Sequence, residues 1–182
     1  KMALAEGLWL NASARHADSR LDVDGYPAPN YVFADTAEYQ DTKQTSGSAG
    51  IAWQGDGLTV DAGYALSDTR RDYFDPTIGS DPTYGTRGRS QRAELRGKWD
   101  LATRWNISFG ADHEWSRFST TYNARRKAEL SSGHALLGYH GGGINLSAGA
   151  RVDNHSRFNS KVTLGANGSI DIADGWRIRA SY

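Results

Sequence analysis

Apolar and polar residues alternate with a period of two along most of this chain. From 144 to 152, Ile144, Leu146, Ala148, Ala150 and Val152 oppose Asn145, Ser147, Gly149 and Arg151. From 105 to 115, Trp105, Ile107, Phe109, Ala111, His113 and Trp115 oppose Asn106, Ser108, Gly110, Asp112 and Glu114. The same holds for Leu58, Val60, Ala62, Tyr64 and Leu66, for Ala93, Leu95, Gly97, Trp99 and Leu101, and for Val162, Leu164, Ala166, Gly168, Ile170 and Ile172. Successive side chains of a strand point to opposite faces, so each segment reads as a strand with one apolar and one polar face. The pattern predicts ten strands or part-strands, at 1–5, 8–20, 45–54, 58–72, 89–101, 104–118, 130–140, 144–153, 160–172 and 176–182. Neighbours should pair antiparallel as hairpins.

The connections alternate in length. Short breaks fall at Glu6-Gly7, Gly55-Asp56-Gly57, Leu101-Ala102-Thr103, Gly141-Gly142-Gly143 and Asp174-Gly175. Long polar stretches lie between them, over 21–44, 72–89 and 119–129, with a shorter one over 153–160. Trp9, Trp53, Trp99, Trp105 and Trp176 stand within three residues of a tight turn, and Trp115 lies ten residues beyond Trp105. A soluble sandwich also alternates, because it buries one face of each sheet. It has no reason to gather tryptophan at one end of its strands and charged loops at the other. An antiparallel transmembrane β-barrel has both features: short periplasmic turns, long extracellular loops and aromatic girdles at the interfaces. The expected fold is therefore all-β, about ten strands or part-strands of a larger barrel in the cell outer membrane.

Composition changes this picture little. Lys+Arg and Asp+Glu are both 21, so the net charge is zero and a nucleic-acid partner held by bulk charge is not expected. There is no cysteine, which suits passage through an oxidising compartment. Mean hydropathy is −0.65, as expected when only alternate residues face lipid. Both ends read as cut, in mid-strand at Tyr182 and without a leader at Lys1, so the chain is expected to be a portion of a longer protein. The alternative is a small self-contained barrel serving as an anchor or adhesin, with Tyr182 as its terminal aromatic.

Catalysis is not expected. The histidines, at 16, 113, 134, 140 and 155, lack metal-ligand spacing. His140-Gly141-Gly142-Gly143 has no G-x-S-x-G partner and reads as a turn. Asp112 and Glu114 share a face with Arg92, Arg96 and Lys98 of the preceding strand, a pattern for a ladder of ion pairs.

The loops carry the candidate chemistry. Tyr26, Tyr31 and Phe33 in the first long stretch and Tyr73 in the second suit an apolar landing surface for a large ligand. Asp22, Asp24, Asp35 and Asp75 supply hard oxygen ligands of the kind Ca²⁺ takes, although the spacing is not that of an EF-hand. Arg70-Arg71 and Arg125-Arg126-Lys127 are basic clusters suited to lipopolysaccharide phosphates.

Three stretches carry a family resemblance: Gly149-Ala150-Arg151-Val152-Asp153-Asn154-His155-Ser156-Arg157-Phe158-Asn159, then Leu164-Gly165-Ala166, then Gly175-Trp176-Arg177-Ile178-Arg179-Ala180-Ser181-Tyr182. Together they resemble the middle barrel of TonB-dependent outer-membrane receptors. Asp72-Tyr73-Phe74-Asp75-Pro76 and Asp22…Asp24-Gly25-Tyr26…Asp35-Thr36 resemble extracellular loops of the cobalamin (vitamin B12) receptors within that family. The resemblance implies a barrel of about 22 strands closed around an N-terminal plug. It implies import of a large scarce nutrient, a corrinoid first and a siderophore second, driven by TonB in the full-length protein. It also implies calcium at Asp22, Asp24, Asp35 and Asp75. The chain departs from the family in having no plug, no TonB box and too few strands.

Overall fold

A computed structural model describes residues 2–182. Every regular element among them is a β-strand: β1 (Met2–Ala5), β2 (Leu8–Asp22), β3 (Tyr39–Gly55), β4 (Leu58–Phe74), β5 (Tyr84–Ala102), β6 (Trp105–Thr120), β7 (Arg126–Gly141), β8 (Ile144–His155), β9 (Phe158–Ala173) and β10 (Trp176–Ser181). They form one antiparallel sheet in strict sequence order from β1 to β10. The short breaks are the expected tight turns. Gly7 shows why glycine is needed there: its φ is +68°, and a Cβ would lie 2.1 Å from the Gln54 carbonyl oxygen.

The sheet is a single layer without a core. No hydrophobic side chain is buried among the described residues, and Ser132 is the one buried polar residue. This excludes the sandwich, whose apolar face would be covered. Register fixes the two faces. Leu10, Ile51, Ala62, Leu95, Ala111, Gly133, Val152 and Val162 fall in one cross-strand row on the apolar face. Large members of this face stand open, such as Leu137 at 43% and Leu164 at 66% exposure. The polar face is the more shielded one, with the Asp112 side chain only 10% exposed.

Trp53, Trp99 and Trp105 mark the turn end of the apolar face, and Trp115 its far end. Trp9 departs from the expected girdle: it pairs with Ala52 in the parity of Asn11 and Ser13, on the polar face. The ten residues from Trp105 to Trp115 span about 34 Å of strand. At a tilt of about 40° that is about 26 Å of height, the thickness of a barrel's lipid-facing band.

The strands run further from the turns than the alternation predicts. β3 starts at Tyr39 rather than at 45, β5 at Tyr84 rather than 89, and β7 at Arg126 rather than 130. The supposed fourth loop shrinks to a turn at Ser156-Arg157, with His155 paired to Phe158. Beyond Trp115 both faces are polar, so the period-two signal fades while the hydrogen-bonded ladder continues. Polar side-chain pairs hold it there, including Arg20 with Asp41 and His16 with Thr45.

Candidate functional site

The polar face carries an alternating chain of charges across four strands. Arg96 Nη2 lies 3.1 Å from Glu94, and Arg92 lies 3.7 Å from Glu94 and 3.4 Å from Asp112. Arg151 reaches across β7 to 4.0 Å from Asp112 and pairs with Asp153 at 2.8 Å. Ser132, between Asp112 and Asp153 in the register, donates to Asp153 at 2.6 Å. A small residue on β7 is what lets a guanidinium from β8 meet a carboxylate on β6. The expected ladder thus forms in part: Arg92, Arg96 and Asp112 join it. Glu114 instead accepts from Ser116 at 2.8 Å, and Lys98 pairs with Asp100 at 3.2 Å. Arg151 and Asp153 were not foreseen, because the register that brings them beside Asp112 is set by two intervening hairpins.

At the loop end, aromatic rings gather in several groups, two of which involve the long loops. Tyr26 and Phe33 meet edge-on at 5.6 Å within the first loop, which the Gly25–Ala34 bridge closes into a small hairpin. Tyr73 meets Tyr84 at 5.7 Å, and Tyr84 stacks on Tyr122 at 5.8 Å. Tyr73 and Tyr84 face each other in the register, in the polar-face parity of Arg71 and Thr86. The Tyr122 hydroxyl donates to the Thr83 carbonyl at 3.2 Å, and Gly85 and Thr121 exchange hydrogen bonds, which docks the third loop on the second. This three-tyrosine row is the best-built aromatic surface at the loop end. Tyr73 was the only member legible in sequence, since Tyr84 faces it only through the β4–β5 register and Tyr122 comes from the third loop. Tyr31 is 70% exposed and makes no ring contact.

The loop acids stand apart. Asp22 ends β2 opposite Tyr39, while Asp24 and Asp35 flank the Gly25–Ala34 bridge. Asp75 caps its own turn, accepting from the Thr77 amide at 2.9 Å and the Thr77 hydroxyl at 2.5 Å. Among the described residues no three Asp, Glu or His side chains converge as a metal site.

Beneath the first loop, Arg20 forks onto Asp41 at 2.8 and 2.9 Å. Its guanidinium also lies 4.0 Å over the Tyr39 ring, which stacks on Phe74 at 4.8 Å. The hydrogen bonds from Arg20 hold the Asp41 carboxyl below the usual carboxylate range and raise Arg20. A depressed carboxyl contributes stability above its ordinary pKa of about 4 and loses it as pH falls through the folded value. Protection factors of the amides at the outer ends of β2 and β3, taken against the intrinsic exchange rate at each pH, should fall on acidification below about pH 4. Asp41→Asn should exchange fast already at neutral pH and lose that response.

No family model matches the chain. Its fold resembles that of the FrpB iron transporter from Neisseria meningitidis (F5-1 variant), with a TM-score of 0.75 and 10% identity, over 99% of this chain and 35% of that one. It also resembles BauA, the ferric preacinetobactin receptor of Acinetobacter baumannii, with a TM-score of 0.54 and 13% identity, over 93% of this chain and 36% of that one. The chain spans about a third of the length of these structures. At such identities the likeness concerns the fold, which is that of ten consecutive antiparallel strands of an outer-membrane β-barrel.

Proposed function

We propose that this chain is part of the barrel of a TonB-dependent outer-membrane receptor, taking up a scarce nutrient from outside the cell. The observation that carries this reading is the bare apolar face. Leu95, Leu137, Leu146, Val162 and Leu164 are all exposed, in a layer bounded by tryptophan. In water such a face is a liability; against hydrocarbon it is the stabilising surface. The polar face with its charge chain then lines the interior and supports what fills it. The long loops and tyrosine row lie outside. The unpaired edge of β2 from 11 to 22 requires a neighbouring strand in lipid, because an open edge has no water to satisfy it there. That favours a portion of a larger barrel over a self-contained one: among the described residues β1 pairs with β2 and β10 with β9, and the two do not pair with each other.

For the ligand, a ferric chelate is preferred to a corrinoid. The supporting consideration is that both similar structures are named for iron cargo. Tyr73, Tyr84 and Tyr122 would meet its apolar or aromatic parts, with Tyr26, Tyr31 and Phe33 closing from the first loop. Calcium held by Asp22, Asp24, Asp35 and Asp75 would tie the first two loops together beside the ligand.

The full-length protein should fractionate with the outer membrane and bind a ferric siderophore. Tyr84→Ala and Tyr122→Ala should each weaken binding by about 5- to 30-fold, the usual effect of truncating an aromatic anchor. Recovery in the soluble fraction refutes the membrane reading. Tight corrinoid binding without siderophore binding reverses the ligand preference. The same titration with and without calcium settles the cation: equal affinities remove it.

A further inference from the structure

The outward face changes character one step beyond Trp115. Leu66, Gln91 and Trp115 form the last row of the belt, ending at Glu129 on β7, with Gln91 donating to the Tyr64 hydroxyl beneath. The next row reads Asp68, Arg89, Arg117, Lys127, and the one after it Arg70, Arg87, Ser119. Arg117 therefore directly faces Arg89 on one side and Lys127 on the other, and Arg87 faces Arg70. Like charges placed opposite each other across strands are destabilising. Elsewhere the chain compensates its cations, as with Arg20 and Asp41 or Arg151 and Asp153. Among the described residues, Arg87, Arg89, Arg117 and Arg125 have no carboxylate within ion-pair distance, and Asp68 is the one acid among them. These groups line a cleft of about 290 Å³.

We propose that this cleft seats the phosphorylated headgroup of an outer-leaflet glycolipid of the lipid A class. The inference rests on the reading that the apolar face meets hydrocarbon. Guanidinium forks match phosphate oxygens in pairs, and several converging forks call for an anion of multiple charge. Depth selects a lipid over a free anion. Arg117 lies two residues, about 7 Å of strand, beyond the girdle tryptophan, at the level of the headgroups. Leu66, Tyr64 and Trp115 continue directly below, where acyl chains would lie. One bound headgroup would relieve the Arg89–Arg117 opposition, which lies wholly within the cleft, whereas Arg70 is already paired with Asp72.

The test uses the full-length protein in detergent, with lipid binding read by native mass spectrometry. The probes are bisphosphorylated lipid A and inorganic phosphate. Arg89→Ala combined with Arg117→Ala should weaken lipid A binding about 25-fold, each cation near a membrane surface contributing a factor of about five. Arg125→Gln, in the loop outside the ladder, should weaken it about fivefold. Arg15→Ala combined with Arg179→Ala removes the same charge from the polar face and should leave binding unchanged. Equal losses in this control and in the first double variant, or no loss in either test variant, would overturn the headgroup site. So would inorganic phosphate displacing lipid A. Outer-membrane fractionation of each variant is scored in parallel. Loss of fractionation by the parent itself strikes the receptor reading, whereas normal fractionation with unaltered lipid A binding strikes this site alone.

Discussion

Leu95→Arg should destabilise the folded barrel by about 2–4 kcal/mol, the cost of a cation near the bilayer midplane on a lipid-facing position. Leu95 is 41% exposed and sits midway along β5, facing Ala62 and Ala111 on the apolar side. The polar face supplies the control. Ala52→Arg would place its guanidinium opposite Asp61 on that face and should change stability by no more than about 0.5 kcal/mol. Urea titrations of the full-length protein in lipid bilayers measure both. If Ala52→Arg costs as much as Leu95→Arg, the assignment of faces is wrong, and the membrane reading goes with it.

The second large effect is expected at Asp112. Its side chain is the most shielded of the charge chain, and it lies between Arg92 at 3.4 Å and Arg151 at 4.0 Å. Asp112→Ala leaves each guanidinium with a single carboxylate partner, Glu94 or Asp153, and leaves excess positive charge on a half-enclosed surface. The expected cost is about 1–3 kcal/mol, the range for depriving shielded polar groups of a charged partner. Exposed surface pairs are worth less, about 0–1 kcal/mol, so the size of the loss reports how enclosed this face is. Asp112→Ala and Arg92→Ala combined should lose less than the sum of the two single changes, because they remove the same interaction. Additive losses would mean the two residues act independently and the alternating chain is only a crystal-like arrangement of charges without energetic coupling.

The register also explains why sequence reading stopped where it did. Alternation located every strand because lipid on one side and a polar interior on the other impose opposite demands on successive residues. The signal ends at the edge of the belt. Tyr39–Gln44 and Tyr84–Gly88 are strand in the structure, yet apart from their leading tyrosines both faces are polar or small and no alternation distinguishes them from loop. Short-range chemistry was likewise visible: the turn glycines, and the proximity of Arg92 to Asp112. The tyrosine row was only one-third visible, because Tyr73, Tyr84 and Tyr122 belong to three separate segments.

By itself the amino-acid order determined the strand count, the antiparallel hairpin order and which residues are apolar on one side, since these follow from period-two geometry and from tight turns that need glycine. Tertiary structure alone decided that the apolar side stays uncovered, that Arg151 reaches Asp112 over Ser132, and that Arg89, Arg117 and Lys127 stand abreast with no acid between them. Those outcomes depend on the stagger between strands far apart in sequence. A shift of one residue in a single hairpin would turn every side chain of that strand to the other face and separate each of these groups.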